Sequence, residues 1–478
     1  HGVFDLLHLG HINHFKSAKK FGDYLIVSIT TNKFVNKGPG RPIFNHQERL
    51  DFLKELRIVD EVIFSNSSSA EDAINIIKPD YYIKGPDYQD NTKDKTKKIF
   101  LEKKLVEKFG GKIKYTNDEV FSSSNLINAS ALLFNEEQKE FINRLKKKFS
   151  YIQIYNEIQK FKKLKIMIVG ELIIDKYCFG EIIGKSGKEP HLVLSQKKSE
   201  YYLGGSGAIA RHISTFVKKI NLISPFGNEK IFKNLINKNF DKKIKLNLDK
   251  PDKNYRTIEK TRFVDQISNY KLFGSYILPN KIDNRFEKKI LNIISKKNKD
   301  YDMVLICDYG HSFLSNSIVK QIKKFKKFIS VNAQINAANI GYHTVDKYFG
   351  VDSIVINENE LRQELRGRTT DIKSLAKKLI LEKKIKKLIV TQGKNGVIMM
   401  DNKFKLTYCP AFAKNSVDKV GAGDAMLSVT SLCLKIKMDP DLTLFLGSIA
   451  AANSVETIGN KSSISFEKID RALEYMFK

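Results

Sequence analysis

Residues 418–426 read Asp418-Lys419-Val420-Gly421-Ala422-Gly423-Asp424-Ala425-Met426 and open an apolar helical stretch. Small residues at a helix start leave backbone N–H groups bare, and such groups stabilise a phosphoryl group in transfer. Asp424, beside that hole, is a carboxylate able to accept the proton of an attacking hydroxyl. A tight helix-entry turn explains the glycines equally well, so the surrounding chain has to decide. Lys165–Gly170 (KIMIVG), Met303–Cys307, Phe328–Val331, Ser353–Ile356 and Lys387–Thr391 are short apolar runs separated by helical stretches. That alternation predicts a large doubly wound α/β domain over residues 162–478.

A smaller α/β pattern fills residues 1–133. Tyr24–Thr30, Val59–Phe64 and Asp80–Ile83 read as strands, and Asn45–Leu56 and Ala70–Ile77 as helices. It opens with Gly2-Val3-Phe4-Asp5-Leu6-Leu7-His8-Leu9-Gly10-His11. On a helix His8 and His11 share a face of the first turn, and Gly10 lets a nucleotide approach the backbone. Two imidazoles at a helix N-terminus make a cradle for a triphosphate, stabilising charge on the attacked phosphorus and on the leaving pyrophosphate. A His-x-x-His alone is as readily a surface accident or a metal pair; the Gly-x-Phe-Asp prefix favours the nucleotide.

Between the two patterns, residues 134–161 repeat Phe141, Leu145, Phe149, Ile152, Ile158 and Phe161 at three- and four-residue steps among lysines. That is one or two amphipathic helices: a linker packed on a domain or on a second subunit of a homodimer, or the terminal helix of the first domain. Asp90–Lys98 is a polar loop of low complexity.

Of 478 residues, 42% are hydrophobic and 28% charged, which places the chain in the globular class. Its 83 Lys+Arg against 53 Asp+Glu leave +30. The lysines are spread along the whole chain without an Arg-rich arm, which argues for a solvated surface attractive to phosphorylated substrates and against nucleic acid as partner. The four cysteines are isolated, so neither a disulfide framework nor a zinc site is indicated, and a reducing cytoplasm fits. No membrane segment is expected: a span needs ~20 apolar residues, and even Leu442–Val455 is interrupted by Gly447, Ser448 and Asn453. No signal peptide is read, although the chain opens at His1 without a Met.

On these motifs the first part resembles the cytidylyltransferase-like nucleotidyltransferase family, which implies a Rossmann-like domain. Lys37-Gly38-Pro39-Gly40-Arg41-Pro42 looks like the family's substrate-side loop, with Gln47-Glu48-Arg49 and Val59-Asp60-Glu61-Val62 matching the helix and strand that follow. Lys84-Gly85-Pro86-Asp87-Tyr88 is similar to the Lys-Gly-x-Asp-Tyr element of its sugar-phosphate branch, and Phe121-Ser122-Ser123-Ser124 resembles a phosphate-holding Ile-Ser-Ser-Thr segment. The resemblance implies catalytic roles for His8 and His11. It sets Gly2, Phe4, Gly10, Lys84, Ser122, Ser123 and Ser124 around the nucleotide, with Arg41 and Asp87 toward the substrate. A class I aminoacyl-tRNA synthetase shares His-x-Gly-His but needs a Lys-Met-Ser-Lys-Ser type loop, which the sequence lacks.

Residues 165–478 resemble the ribokinase-like (PfkB) carbohydrate kinase family. Gly170-Glu171 and Asp175 match its opening strand and sugar-contacting acid, and Gly204-Gly205-Ser206-Gly207 its paired glycines. Asn357-Glu358-Asn359-Glu360 looks like its Asn-x-x-Glu element, and Thr391-Gln392-Gly393-Lys394-Asn395-Gly396 like its nucleotide turn. The resemblance implies Asp424 as catalytic base and Gly421, Ala422 and Gly423 as the anion hole. Asn357, Glu360, Thr391, Gly393, Gly396 and Asn453 would surround ATP, with Glu360 toward Mg2+. Asp175, Gly204, Gly205, Lys260 and Arg262 would face the sugar.

A sugar kinase joined to a nucleotidyltransferase resembles the bifunctional ADP-heptose synthase family. That implies Mg2+ and ATP, a sugar phosphate and a nucleoside triphosphate as partners, and a nucleotide-activated sugar for surface polysaccharide as product. Three departures stand out. The two parts are in reverse order, Asp308-Tyr309-Gly310-His311-Ser312 replaces Asp-Tyr-x-Lys-Gly, and Val331-Asn332-Ala333-Gln334 replaces Val-Asp-Pro-Lys. Two lysines that could serve ATP phosphates are gone. An active kinase and a catalytically silent sugar-binding or dimerisation fold both remain open. A glycerol-phosphate or ethanolamine-phosphate cytidylyltransferase with an unrelated kinase is disfavoured by the sugar-branch Lys84–Tyr88 element.

Overall fold

The computed structural model describes residues 1–35, 41–85, 98–116, 134–279, 282–296, 300–413 and 417–477. They form two compact units, His1–Lys139 with Arg471–Lys478, and Glu140–Asp470.

The first unit runs α1 (Leu9–Lys19), β1 (Ile26–Thr30), α2 (His46–Lys54), β2 (Glu61–Ser65), α3 (Glu71–Ile77), β3 (Tyr81–Lys84), α4 (Lys98–Lys108) and β4 (Lys112–Tyr115). Every pairing is parallel, as βα alternation requires. The expected single sheet is, among the described residues, two pairs: β1 with β2, Ile26 opposite Glu61, and β3 with β4, Tyr81 opposite Lys112. Each has its own apolar cluster, Phe15, Val27, Ile29 and Leu53 under the first, Ala70, Ile74, Tyr82 and Val106 under the second. Both β1 and β3 border a cavity of about 730 Å3 that α1 also lines. Gly2 pairs with Ile29 beside β1, its N–H on the Ser28 carbonyl and its own carbonyl taking the Thr30 N–H, both at 3.0 Å.

Next along the chain are α5 (Glu136–Lys148), which belongs to the second unit from Glu140 onward, and α6 (Tyr151–Gln159). Two helices form because the Ser150 hydroxyl accepts the Gln153 N–H and the Gln153 side chain accepts the Ser150 N–H, restarting the helix. Phe141, Leu145, Ile154, Ile158 and Phe161 are buried, whereas Ile152, counted in the apolar series, is 59% exposed. The Phe141 ring lies 6.0 Å from that of Phe445 and 6.3 Å from that of Phe412, so α5 is seated on the second unit's own core.

Strands and helices then follow as β5 (Lys165–Gly170), β6 (Leu172–Lys185), β7 (Leu192–Gly204), α7 (Gly205–Ile213), β8 (Lys219–Pro225), α8 (Lys230–Asn239), β9 (Ile244–Asp249), β10 (Ile258–Asp265) and β11 (Lys271–Ile277). The chain continues with α9 (Asn284–Lys296), β12 (Met303–Asp308), α10 (Asn316–Lys323), β13 (Phe328–Ala333), β14 (Ser353–Asn357), α11 (Glu358–Glu364), α12 (Ile372–Lys383) and β15 (Lys387–Thr391). Last come β16 (Val397–Asp401), β17 (Leu406–Cys409), α13 (Ala422–Lys435), α14 (Pro440–Val455) and α15 (Phe466–Phe477).

Nine strands make one sheet in the order β17-β16-β15-β14-β13-β12-β5-β8-β9, parallel except for the hairpin edge β15-β16-β17. β12 (MVLICD) is buried at all six positions, as a strand covered on both faces must be. Met167, Val169, Val304, Ile306, Ile354 and Ile356 share one face with α9, α10 and α12. On the other face the Ser431 hydroxyl of α13 meets that of Ser330 at 2.8 Å. The chain reverses direction across the sheet at β5, whose neighbours are β8 and β12. In such sheets ligands bind beyond the carboxyl ends of the strands at this switch point. Glu171, Tyr309, Gln334 and Asn357 all lie there. A second sheet, β11-β10-β6-β7, carries Asp175, Gly204, Lys260 and Arg262.

Candidate active sites

In the first unit His8 is the N-cap of α1. Its Nδ1 accepts the Gly10 N–H at 3.1 Å, and the His11 Nδ1 accepts the His8 N–H at 3.4 Å. The two rings stack with centroids 3.9 Å apart, and the Phe4 ring meets His11 edge-on at 5.3 Å. Phe4 holds φ +51°, and a Cβ on Gly2 would sit 2.9 Å from its ring, so the glycine is what lets that ring lie there. Burial holds the His8 imidazole below its ordinary pKa. The cradle expected to act by charge therefore presents at His8 a neutral ring that accepts at Nδ1 and carries its proton on Nε2. Gly10, His8, His11 and Lys84 line the 730 Å3 cavity together with His14, whose Nδ1 is 3.0 Å from the Thr116 hydroxyl. His14 went unremarked in the sequence, though it lies one turn beyond His11.

Two cations expected at the ligand are held by the protein. Arg41 Nε donates to Asp5 Oδ2 at 2.8 Å with both side chains buried, and Asp5 Oδ1 takes the Ile43 N–H at 2.7 Å. The Arg41 Nη2 has no partner among the described residues. Lys84 Nζ lies 2.9 Å from Glu102 Oε2, and Glu102 also accepts the Ala70 N–H. Substrate-facing duty for Arg41 thus competes with a closed internal pair. Arg49 is 1% exposed and donates to the carbonyls of Val3, Thr30 and Phe44 and to Asn32 Oδ1. It ties the histidine loop to β1. Asp87, Ser122, Ser123 and Ser124 lie outside the described residues.

In the second unit Asp424 lies in the first turn of α13, behind Gly421 at φ +90°. A Cβ on Gly421 would fall 2.2 Å from Asn460 Oδ1, whereas one on Gly423 would touch nothing within 4 Å. Gly421 is therefore required by the protein, and Gly423 leaves open space before the bare N–H groups. Ala422 opens the helix between them. Asp418 fixes this turn: it accepts the Val420 and Gly459 N–H groups at 3.0 Å and the Tyr177 hydroxyl at 2.7 Å.

Asp424 Oδ1 accepts the Tyr309 hydroxyl at 2.7 Å. Burial pushes its pKa up to about 7 while the Tyr309 hydrogen bond and Lys260 pull it down. Arg262 Nη1 donates to Asp175 Oδ1 at 2.6 Å, and a Cβ on Gly204 would lie 2.2 Å from Asp175 Oδ2. Gly205, at φ +56°, brings α7 against the Glu171 carbonyl. Lys260 is buried, its pKa lowered by desolvation against the pull of Asp175, Glu171 and Asp424. Asp175, Lys260, Arg262, Tyr309 and Asp424 thus converge from β6, β10, β12 and α13.

Glu171 is fully buried and accepts the N–H groups of Tyr309 and His311 at 3.0 and 3.2 Å. Burial and the charge of Asp308 push it up to about 7. His311, standing where the heptose pattern has lysine, falls to about 4 through burial beside Lys260 and is neutral. Asp308 is itself paired with Lys347 Nζ at 2.7 Å. At the other departure Asn332, in the place of the acid, donates its Nδ2 to the Val355 carbonyl at 2.8 Å, and Gln334, in the place of the lysine, donates its N–H to the Asp308 carbonyl at 2.8 Å.

Asn357 and Glu360 form a reciprocal cap on α11. Asn357 Oδ1 takes the Glu360 N–H at 2.9 Å, and Glu360 Oε2 takes the Asn357 N–H at 2.8 Å. Glu360 Oε1 takes the Ile335 N–H at 3.2 Å, and burial with the nearby charge of Asp424 lifts its pKa to about 7. Each carboxylate oxygen retains a lone pair, so a hard cation bridging to phosphates fits this donor. Among the described residues no three His, Cys, Asp or Glu side chains cluster as a metal site. Thr391 ends β15, and Gly393 (φ +59°) and Gly396 (φ +84°) frame the turn after it; a Cβ on Gly396 would strike the Cys409 carbonyl. Asn453 Nδ2 donates to the Ile449 carbonyl at 3.0 Å within α14. No helix among the described residues is long and apolar enough to cross a membrane.

Residues 163–466 match the family described as pfkB family carbohydrate kinase, and residues 1–129 match the cytidylyltransferase-like family. The chain is 27% identical over 301 residues to the bifunctional protein HldE of Campylobacter fetus, covering 62% of this chain and 64% of that protein. It is 25% identical over 322 residues to its namesake in Aliarcobacter butzleri, covering 66% and 64%. A shorter match, 33% over 114 residues, links it to the same-named protein of Syntrophotalea carbinolica. The chain thus spans slightly under two thirds of the length of its first relatives. Phosphofructokinase-2 from Escherichia coli in complex with fructose-6-phosphate is similar in structure, with a TM-score of 0.52 at 14% identity over 66% of this chain and all of that one. Ribokinase from Thermotoga maritima reaches 0.50 at 20% identity over 65% and 99%.

Proposed function

Because this chain belongs to the pfkB family of carbohydrate kinases and carries a cytidylyltransferase-like domain ahead of the kinase, we propose that it is a bifunctional cytoplasmic enzyme. It phosphorylates a sugar phosphate at C1 and transfers a nucleotidyl group to the product, giving an ADP-heptose-like activated sugar for surface polysaccharide. The domains we assign are 1–133 for the transferase, 134–161 for a helical linker and 162–478 for the kinase. The carrying observation is the carboxylate of Asp424 held by Tyr309 behind the Gly421–Gly423 turn, with Asp175, Lys260 and Arg262 converging on it.

In the kinase step the sugar hydroxyl oxygen attacks the γ-phosphorus of ATP, its proton passes to Asp424 and ADP leaves. Backbone N–H groups of residues 421–423 stabilise the charge on the transferred group. Glu360 would hold Mg2+ against the phosphates, and the ion, when bound, neutralises their charge. In the transferase step an oxygen of the sugar 1-phosphate attacks the α-phosphorus of a nucleoside triphosphate and pyrophosphate leaves. His8, as a neutral donor from Nε2, and His11 stabilise that oxygen-rich centre, with Lys84 helping to hold phosphates.

One second reading has support of its own. The absent lysine at Asn332-Ala333-Gln334 and the cap that engages Glu360 both favour a nucleotidyltransferase attached to a silent sugar-binding kinase fold. A coupled assay with ATP, magnesium and a panel of sugar phosphates including heptose 7-phosphate, following ADP and pyrophosphate separately, divides the readings. ADP followed by pyrophosphate supports the bifunctional enzyme. Pyrophosphate only from supplied sugar 1-phosphate, with no ADP from any sugar, supports the silent fold.

A further inference from the structure

Away from the strand ends that hold the kinase residues, a cavity of about 480 Å3 opens between the end of α7, the end of α8 and the loop that leads into α15. Its walls are polar. Arg211, Lys238, Lys461 and Lys468 line it with several serine side chains, and Asp241 is the one acid among the described lining residues. Asp241 spends one oxygen on the Lys243 N–H at 2.8 Å.

Arg211 carries the argument. It is 8% exposed, so its guanidinium has left water at a large desolvation cost. A buried arginine ordinarily faces a carboxylate. Here the Nη1 donates to Asn239 Oδ1 at 3.0 Å and the Nη2 to the Asn460 carbonyl, both neutral, and the Nε has no partner among the described residues. Lys468 is partly buried nearby, its pKa lowered first by desolvation and next by the charge of Arg211. Arg211 and Lys468 thus stand together in a partly buried recess with hydroxyls around them and one buried N–H left over, while Glu456 acts on Lys468 and the exposed Lys461 at the rim lies 3.8 Å from Glu200 Oε2. Folding alone gains nothing from this arrangement; an anion with several oxygens supplies the missing partner.

We infer that this recess is a binding site for the phosphoryl group of a small phosphate ester, separate from both proposed catalytic sites. The volume lies in the range of ligand pockets and exceeds what a bare phosphate fills, which leaves room for the esterified part. A nucleic-acid backbone is a poor fit, because the guanidinium that would bind it is more than nine-tenths buried. The site also reaches the kinase turn. Asn460 accepts from Arg211 through its backbone carbonyl, and its side chain is the group that a Cβ on Gly421 would strike.

The test is lysine acetylation of the full chain, read residue by residue by mass spectrometry, during titration with inorganic phosphate and, separately, with glucose 6-phosphate. Saturable protection of Lys461 and Lys468 that potassium chloride at matched ionic strength does not reproduce is expected. Saturation at lower concentration by the ester identifies esters as the occupant, and the reverse identifies free phosphate; either supports the site. Arg211→Gln should abolish the protection while leaving the response of Lys84 and Lys260 to ATP unchanged. If circular dichroism shows that this variant fails to fold, Lys468→Gln decides, weakening protection of Lys461 about tenfold through loss of one charged hydrogen bond. No protection at saturating ligand, protection matched by chloride, or protection unchanged in Lys468→Gln would each overturn the proposal.

Discussion

Asp424 combines two demands that conflict. As the proposed base it must be ionised, and its surroundings raise its pKa to about 7 by withholding water. The sign of the pH effect follows. Below about 7 the group is protonated in the folded chain and cannot take a proton, so kinase turnover should climb with pH through that value. Tyr309→Phe removes the hydrogen bond that favours the carboxylate and should move the rising limb to higher pH in a pH–rate profile; an unmoved limb would count against the pairing. Stability runs the other way. Because the folded pKa lies above the unfolded one, the stabilisation belonging to the protonated form is complete at low pH and lost as pH rises through about 7. Asp424→Asn, permanently neutral, should abolish ADP formation and melt higher than the parent at pH 8, the difference narrowing as pH falls below about 7 and closing only below 3.8, the ordinary value of the group. Arg49→Met strands three carbonyls and an amide and should cost roughly 3 kcal/mol or more in urea unfolding followed by a probe in residues 1–139. His8, His11 and Asp424 were legible in the sequence because each sits inside a short pattern whose spacing encodes its geometry. Tyr309 was read only as part of the Asp308-Tyr309 motif and Glu102 not at all, since the pairings with Asp424 and Lys84 form only in the fold.

At the scale of elements, glycines and acids that look alike in the sequence differ in what surrounds them. Gly421 and Gly423 look equivalent in Gly-Ala-Gly-Asp, yet one abuts Asn460 and the other faces open space. Gly421→Ala should therefore destabilise the second unit by about 1–3 kcal/mol through backbone strain alone. Gly423→Ala should leave the melting temperature nearly unchanged and lower kinase turnover, which separates a structural glycine from a ligand-facing one. Glu360 closes a cap and is also the proposed magnesium residue. Glu360→Gln should raise the Mg2+ concentration needed for half-maximal kinase activity, while a simple cap predicts only a loss of stability. The parallel strands were visible as apolar runs because both of their faces are covered. The β6–β7–β10–β11 sheet was not, because its strands mix lysine, glutamate and tyrosine with apolar residues and show no clean period. Three of the residues that converge on Asp424 come from that sheet, which is why the sequence named Asp175, Lys260 and Arg262 by resemblance and not by pattern.

For the whole molecule the division into two α/β patterns was written in composition and strand spacing, whereas the separation of the first unit's strands into two pairs was not. Pairing depends on which edges find one another, and that information is non-local. All four cysteines, Cys178, Cys307, Cys409 and Cys433, are buried and free, and none falls within residues 1–139. Burial also lifts the thiols of Cys307 and Cys433, which keeps them as the unreactive neutral form. The molecule thus carries a built-in clock for one half only. A thiol-specific reagent should find no sulfur in the native chain and four in denaturant, and its slow uptake under native conditions should time the opening of the kinase unit. Melting of the transferase unit would leave that clock silent, so the opening of the kinase unit can be followed by itself without introducing a label.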